Sequence, residues 1–503
     1  MTCDVVLQRA SIFAIKEETT AGTLVIPSAG SDFIPLKKGF TMEPAFEILN
    51  SDELVNDEGQ AKGVLGLQSV SGTHGAYAKT SEVAGTEPDV GLLFESCLGG
   101  VSTEGTEYST TTSSTTSLIK LSSGGSAKEV GEAVMVKDTV NGFSIRNIDD
   151  ISTNDLSLNF NLSNAPGTGI GTGKAVLYKP GTSHPAFSAW MYNGNVGAVQ
   201  AAAGCRVSGI TMNFEAGQQA EVEFTYEGSK YYYNPIVITS SNNKFDITDD
   251  DVTDTAVVIP VGIYDGISLA SEIQTSLNDL TGSSEVYTCV YNNATGKFTI
   301  ATATSSTFSI LWSTGTSAAS SIGGTIGFVV SSNDTGALTY TSDNAQSYVA
   351  GYTPSYDDAT NLVVKNAEFF LGDATDNICK CARSISLQIS TPVTNIESIC
   401  SESGIQEKTI LSRDVVMSVE MLLNKHDVLA FNRMKSNTGL KAMLNLGPKT
   451  AGGDWVPGKC LNVYLRNATV SKFTTTGEDF VLMSLELKGF VTSSSKDLYI
   501  NMI

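Results

Sequence analysis

Val207-Ser208-Gly209-Ile210-Thr211, a bend at Gly217, then Val222-Glu223-Phe224-Thr225-Tyr226 closing on Gly228: this stretch decides how the chain is read. Apolar and polar residues alternate on both arms and a glycine stands at the bend, which is the pattern of a β-hairpin. The pattern returns near the C-terminus as Val470-Ser471-Lys472-Phe473-Thr474, a bend at Gly477, then Val481 to Leu487 closing on Gly489. A related unit is therefore expected twice in one polypeptide. Neither copy carries a set of residues suited to catalysis.

Working outward, strand signals dominate. Val415, Met417, Val419, Met421 and Leu423 alternate with polar neighbours, as do Ile385, Leu387 and Ile389, and Ile210, Met212 and Phe214. Such alternation gives one buried and one wet face, the mark of antiparallel sheet in a sandwich or barrel. Three helices are expected. One runs Pro88 to Leu98, with Thr86 or Glu87 as cap, Leu92, Leu93 and Cys97 toward the core and Gly99-Gly100 as the stop. A second runs from about Lys425 to Ser436, capped by Asn424 with Asp427 three residues on, with Val428, Leu429, Phe431 and Met434 as its apolar stripe. A third runs Leu269 to Leu280, with Leu269, Ile273 and Leu277 spaced by four. The first two helices each precede one of the echoed hairpins, which supports duplication. The Ser/Thr/Gly-rich stretch from Tyr108 to Gly131 reads as a long loop or mobile arm, and Asn164 to Gly173 as another loop.

A further block is spliced between the echoes. Tyr231-Tyr232-Tyr233-Asn234-Pro235 leads in and Tyr352-Thr353-Pro354-Ser355-Tyr356 leads out, stiff junctions both. Inside it, Val257-Val258-Ile259 reads as a strand, and Tyr287–Tyr291 with Lys297–Ile300 as a hairpin around Asn292 to Gly296. Phe308, Ile310 and Trp312 alternate as another strand.

At 503 residues about three domains are expected. Hydrophobic residues make up 41% of the chain and the mean hydropathy is +0.02, enough for globular cores. No run of 18 apolar residues offers a membrane span. Met1-Thr2-Cys3-Asp4-Val5 lacks the basic-then-apolar layout of a secretory signal, so folding in a reducing cytoplasm is expected. Eight cysteines are too sparse for a disulfide scaffold. The net charge of −22 argues against gripping nucleic acid or anionic membrane.

A search for chemistry returns no catalytic, cofactor-binding or metal-binding residues. His74, His184 and His426 have no partner at metal-ligand spacing and are expected on the surface or in loops. Neither H-E-x-x-H nor G-x-S-x-G occurs. Gly167 to Lys174 invites a phosphate-loop reading and fails it: Thr168 stands where the first glycine belongs, Ala175 follows the lysine, and strand-like residues follow in place of a helix. Cys379-Lys380-Cys381 is too tight for a zinc pair. Asp246, Asp249, Asp250, Asp251 and Asp254 lack the spacing of a calcium loop and read as a solvated acidic turn.

Arg9 to Glu18, Gly85-Thr86-Glu87-Pro88-Asp89-Val90-Gly91-Leu92-Leu93, Cys97-Leu98-Gly99-Gly100 and the Cys205–Gly228 hairpin together resemble the tail tube (major tail) proteins of long-tailed, non-contractile bacteriophages. Asn366-Ala367-Glu368-Phe369-Phe370, Arg413-Asp414-Val415-Val416 and Ala468 to Gly489 extend the likeness to the C-terminal part, so it spans about 1–235 and 355–503. The resemblance implies a mainly β fold: two related tail-tube β-sandwich or barrel units, each with a flanking helix, plus an inserted small α+β domain. The expected division is 1–235, a first tube unit; 236–352, an inserted, decoration-like outer domain; and 353–503, a second tube unit.

The same resemblance implies a virion structural protein, synthesised and assembled in the host cytoplasm, whose edge strands pair between copies into rings. The rings stack into the tube that carries DNA during genome ejection, with tape-measure and tail-end proteins as further partners. If one chain supplies two units, trimeric rings are favoured over hexameric ones. DNA would pass an acidic lumen without specific binding. Two other classes compete. A cell-surface or fibre adhesin calls for a signal peptide and exposed tryptophans, but Trp190, Trp312 and Trp455 are scattered. A β-rich glycosidase calls for a carboxylate pair, which 53 acidic residues offer without discrimination.

Overall fold

The computed structural model describes residues 8–28, 32–53, 62–138, 140, 142–194, 198–303, 306–346, 354–356, 359–373, 377–379, 382–401, 403–423, 428–477, 480–493 and 495–503. Strands dominate, and the described residues form three α-helices: α1 (Gly91–Leu98), α2 (Gly266–Asn278) and α3 (Leu429–Ser436). The chain divides into two compact units. One holds Phe13–Ala189, Ala202–Tyr231 and Pro354–Ile503; the other holds Met1–Ile12, Trp190–Ala201 and Tyr232–Thr353.

Apart from Val199–Ala201 at the start of the third, a run of eight antiparallel strands lies in the first of these units. In chain order they are β1 (Thr41–Leu49), β2 (Val64–Tyr77), β3 (Val199–Glu215), β4 (Glu221–Gly228), β5 (Ala382–Ser390), β6 (Asp414–Leu422), β7 (Leu461–Thr476) and β8 (Leu482–Gly489). Side by side they run β1-β2-β4-β3-β5-β6-β8-β7. The first four lie in the order first, second, fourth, third, and the next four repeat that order. The β3–β5 ladder joins the two sets.

The repeat holds in detail. The β3–β4 ladder slips between Val207 and Gly209, passing over Ser208, and the β7–β8 ladder slips between Val470 and Lys472, passing over Ser471. Both bulges thus fall on the serine of the echoed Val-Ser motif, and bulges are built features of a strand. Each set also has its helix between the second and third strands. Both helices end on a left-handed residue, Gly99 at φ 85° and Asn437 at φ 48°, which frees the last carbonyls to bond the cap.

Helix α1 begins three residues later than its proline suggested, with Gly91 N–H donating to Pro88 O at 2.8 Å. It buries Leu93, Phe94, Cys97 and Leu98, while Leu92 is only half-buried. The Phe94 ring meets Phe224 of β4 edge-on, with centroids 5.1 Å apart. Helix α3 behaves differently: of its residues only Ala430 is buried, and Val428 and Phe431 of the expected stripe are exposed. The capping pair Asn424 and Asp427 lies outside the described residues.

The stretch from Tyr108 to Gly131 is not the loop or arm that its composition suggested. Leu118–Lys120 pairs with Asp155–Leu158, which pairs with Gly142–Ser152, which pairs with Ala133–Asp138. Ile119, Leu121, Val134, Val136, Ile148, Leu156 and Leu158 pack as its core. Five buried asparagines lie between this small sheet and its neighbours. Asn445, Asn462 and Asn501 sit abreast on three adjacent strands. Asn147 donates to Asn462 Oδ1 at 2.7 Å and Asn462 donates to Asn445 Oδ1 at 2.8 Å. Asn159 Oδ1 accepts from the Asn147 N–H at 3.0 Å.

The second unit is α+β. Helix α2 starts at a capping box, Asp265 accepting from Ser268 N–H and the Ser268 hydroxyl bonding back. Leu269, Ile273 and Leu277 are buried with Phe245, Ile247, Tyr287, Phe298, Ile310 and Trp312 in one core. Its hairpin pairs Tyr287–Asn292 with Lys297–Thr302, as the alternation predicted. Of the exit seam, Tyr352 and Thr353 lie outside the described residues.

Candidate functional site: the polar face of the eight-stranded sheet

Register decides which side chains share a face of the sheet, because neighbours along a strand point to opposite sides. One face is apolar and buried: Met42, Val70, Val222, Phe224, Ile210, Met212, Leu387, Ile389, Met417, Val419, Leu485 and Leu487 all lie on it. Each such side chain contributes roughly 1.5–3 kcal/mol relative to exposure, so this face holds the sheet to the body beneath.

The opposite face is mostly polar, with Val416 and the exposed Leu422 among its apolar exceptions. Across the strands it presents Thr41 and Glu43, then Ser71 and Thr73, then Glu221, Glu223 and Glu227, then Thr211, Asn213 and Glu215. It continues through Ser384, Ser386 and Gln388, then Asp414, Ser418 and Glu420, then Ser484, Glu486 and Lys488, and ends at Lys472 and Thr474. Eight carboxylates thus face two lysines, and hydroxyls fill most of the space between them. Some charge is balanced from the margins, where Lys408 meets Glu227 at 3.1 Å and Arg383 meets Glu420 at 3.5 Å, and Lys37 pairs with Glu221. Glu43, Glu215 and Glu223 are exposed. The surface is also concave: a trough of about 550 Å³ lies over it, lined by Asn213, Glu215, Ser386, Ser418, Lys472 and Glu486 among others. Such a wall repels a polyanion and offers it no donor cluster to bind.

The sheet stops at two open edges. Among the described residues, β1 pairs with β2 alone. β7 pairs with Leu440–Leu446 and Leu498–Met502 along its first half, but Thr469–Thr476 has β8 on one side and, among the described residues, nothing on the other. Open edges are templates for another strand.

The residues singled out for chemistry do not converge. His74 is fully buried, not on the surface as expected, because its place on β2 points to the apolar face; it stacks on Phe13 with centroids 4.9 Å apart. His184 is half-buried, with Nδ1 2.9 Å from Ser96 O. His426 lies outside the described residues, as do Lys380, Cys381 and the Cys379 side chain. The carboxylates of the 246–254 run bond outward to the protein: Asp246 accepts from Ser317 N–H at 2.7 Å, Asp249 from the Tyr287 hydroxyl at 2.8 Å, and Asp254 from Thr316 N–H at 3.2 Å. The Gly167–Gly173 loop uses its backbone on its neighbour, Gly169 N–H donating to Thr110 O at 2.8 Å, and runs into the strand Ala175–Tyr178. All three tryptophans are buried, so none is displayed for a sugar. Sequence reasoning missed the polar face as a unit, since its residues come from eight strands and only the pairing register brings them together.

Residues 8–270 match the family described as phage tail tube protein. Among solved structures, the anti-feeding prophage baseplate, a six-fold symmetrised cryo-EM structure, is similar at 12% identity over 27% of this chain and 89% of that one, with a TM-score of 0.21. An Hcp1 double mutant from E. coli EAEC 042 is similar at 13% identity over 27% of this chain and 95% of that one, with a TM-score of 0.18. No curated protein matches this chain.

Proposed function

Because this chain belongs to the phage tail tube protein family, whose members are structural virion proteins and not enzymes, we propose that its eight-stranded sheet is one third of the wall of a hollow tail tube. The observation that carries the reading is the tandem order of the strands: one chain holds two successive copies of a four-stranded unit, already joined edge to edge. A second copy of that junction would continue the sheet into a second chain. Three chains then bring 24 strands, eight from each, which at about 4.8 Å per strand make a circumference of roughly 115 Å and a backbone diameter of roughly 37 Å, widened by strand tilt. That bore admits one DNA duplex. The acidic, hydroxyl-rich face lines it and the apolar face turns outward onto the body of the ring.

In this reading the bore wall keeps DNA moving because it is of like sign and lacks basic side chains in number. Stacked rings make the tube, tape-measure and tail-end proteins bound its length, and assembly takes place in the host cytoplasm. The domain division of 1–235, 236–352 and 353–503 belongs to the same proposal, with the inserted block decorating the outside, since a bore of this size has no room for it. Negative-stain electron microscopy of the purified chain tests the function: hollow cylinders with a regular axial repeat are expected, and featureless monomers at high concentration would overturn it.

A further inference from the structure

We propose that β7 pairs antiparallel with β1 of a second copy of this chain in one defined register, and that this contact also covers the exposed apolar side of α3. The inference rests on the tube reading and adds which residues meet. It follows from the junction that the chain already makes with itself.

The equivalences come from pairing alone. The coincident bulges set Val207 of β3 equal to Val470 of β7. Val207 pairs with Tyr226 and Val470 with Leu487, so β4 and β8 are aligned through those residues. Tyr226 pairs with Gly72 and Leu487 with Met417, which aligns β2 with β6. Gly72 pairs with Met42 and Met417 with Leu387, which aligns β1 with β5. Inside the chain Met212 faces Leu387. Their equivalents are Thr475 and Met42. The register between copies is therefore Thr475 opposite Met42, Thr474 opposite Glu43, Phe473 opposite Pro44 and Lys472 opposite Ala45.

Three independent features fit this seam. First, hydrogen-bond alternation leaves the right backbone groups free. Ala78 N–H donates to Ala220 O, so even-numbered residues of β2 bond to β4 and odd-numbered ones to β1. Met42 and Phe46 then point their N–H groups to the open edge. The Pro44 nitrogen points there too and donates nothing, which blunts indiscriminate pairing. Second, Lys472, one of the two cations on the polar face, falls diagonal to Glu43 across the seam, an attractive pairing. Third, Thr391, one residue beyond β5, packs against α1, its hydroxyl 3.5 Å from Cys97 Sγ. The equivalent of Thr391 is Phe46, which is 48% exposed, and the equivalent of α1 is α3, whose Phe431 is 46% exposed. Phe431 already meets Phe473 of β7 edge-on, with centroids 5.8 Å apart, and its exposed half is what Phe46 of the next copy covers across the seam, as Thr391 covers α1 within the chain.

Paired cysteines test the register. In a background with the exposed Cys400 changed to serine, Thr474→Cys with Glu43→Cys is oxidised in assembled tubes and run under denaturing, non-reducing conditions. A ladder of covalently joined chains is expected, and the out-of-register pair Thr474→Cys with Thr41→Cys should stay monomeric. A second in-register pair, Lys472→Cys with Ala45→Cys, covers the case in which the first disturbs assembly. Tubes without in-register crosslinks, or with the out-of-register pair crosslinked as well, overturn the register while leaving the tube reading in place. Absence of tubes from the parent protein overturns the tube reading itself. For the helix contact, Phe431→Arg should keep the parent's circular dichroism and melting temperature but lose most tube formation. Normal tubes from that variant overturn the α3 part of the proposal.

Discussion

His74 shows how a single residue can report on the sheet. It lies opposite Phe224 in the β2–β4 ladder, wholly inside, and burial pushes its imidazole down to about 4 from an ordinary value near 6.5. Near pH 7 the ring is neutral in folded and unfolded chains and costs nothing. As the pH falls through 6.5 the unfolded chain takes up a proton that the folded one refuses, so stability is lost down to about pH 4, reaching about 3 kcal/mol in total. Denaturant titrations at pH 7 and pH 4 check this. His74→Phe should remove that part of the acid sensitivity, and an unchanged pH dependence would show that the ring is not titrating from inside. In the sequence His74 read as a surface residue because it is polar and stands among Ser71, Gly72, Thr73 and Gly75, where Val70 and Ala76 mark the inward side only weakly. The signal that would have found it is its partner Phe224, and pairing partners are not visible before register is known.

Among elements, the echoed hairpins were legible because a Val-Ser pair, a glycine at the bend and a closing glycine recur in the same order, with alternating arms between them. Helix α1 was legible from Pro88 and Gly99, and α2 from its spacing of four. The small sheet around Ile119 was not. Its first strand is three residues long in Ser/Thr/Gly-rich surroundings, and its partner Asp155–Leu158 is distant in sequence. The asparagines beneath it are the element-scale counterpart: each is polar and buried, and its bonds come from the other asparagines and from nearby backbone such as Gly131 O and Ile145 O. Asn462→Leu would take a buried partner from Asn147, Asn445 and Asn501 at once, leaving Asn147 and Asn501 to share Gly131 O and Asn445 with Ile145 O. A loss of about 3 kcal/mol is expected, read as a drop in the denaturant midpoint, since three buried groups each lose a hydrogen bond at about 1 kcal/mol or more apiece. A change below 1 kcal/mol would mean that water or repacking replaces the network.

For the whole molecule, charge and repetition act together. The sequence showed the net charge but not where it sits, because a slip of one residue in any ladder moves a strand's carboxylates to the other face. With register fixed, acid and hydroxyl gather on one side and apolar bulk on the other. In the proposed ring, closed symmetry sets how many chains are needed, since a chain that carries two units would fill two positions. Native mass spectrometry of rings released from the tubes counts those positions directly. The account predicts three chains of 53.0 kDa, about 159 kDa in all, and a ring of six, about 318 kDa, would contradict it.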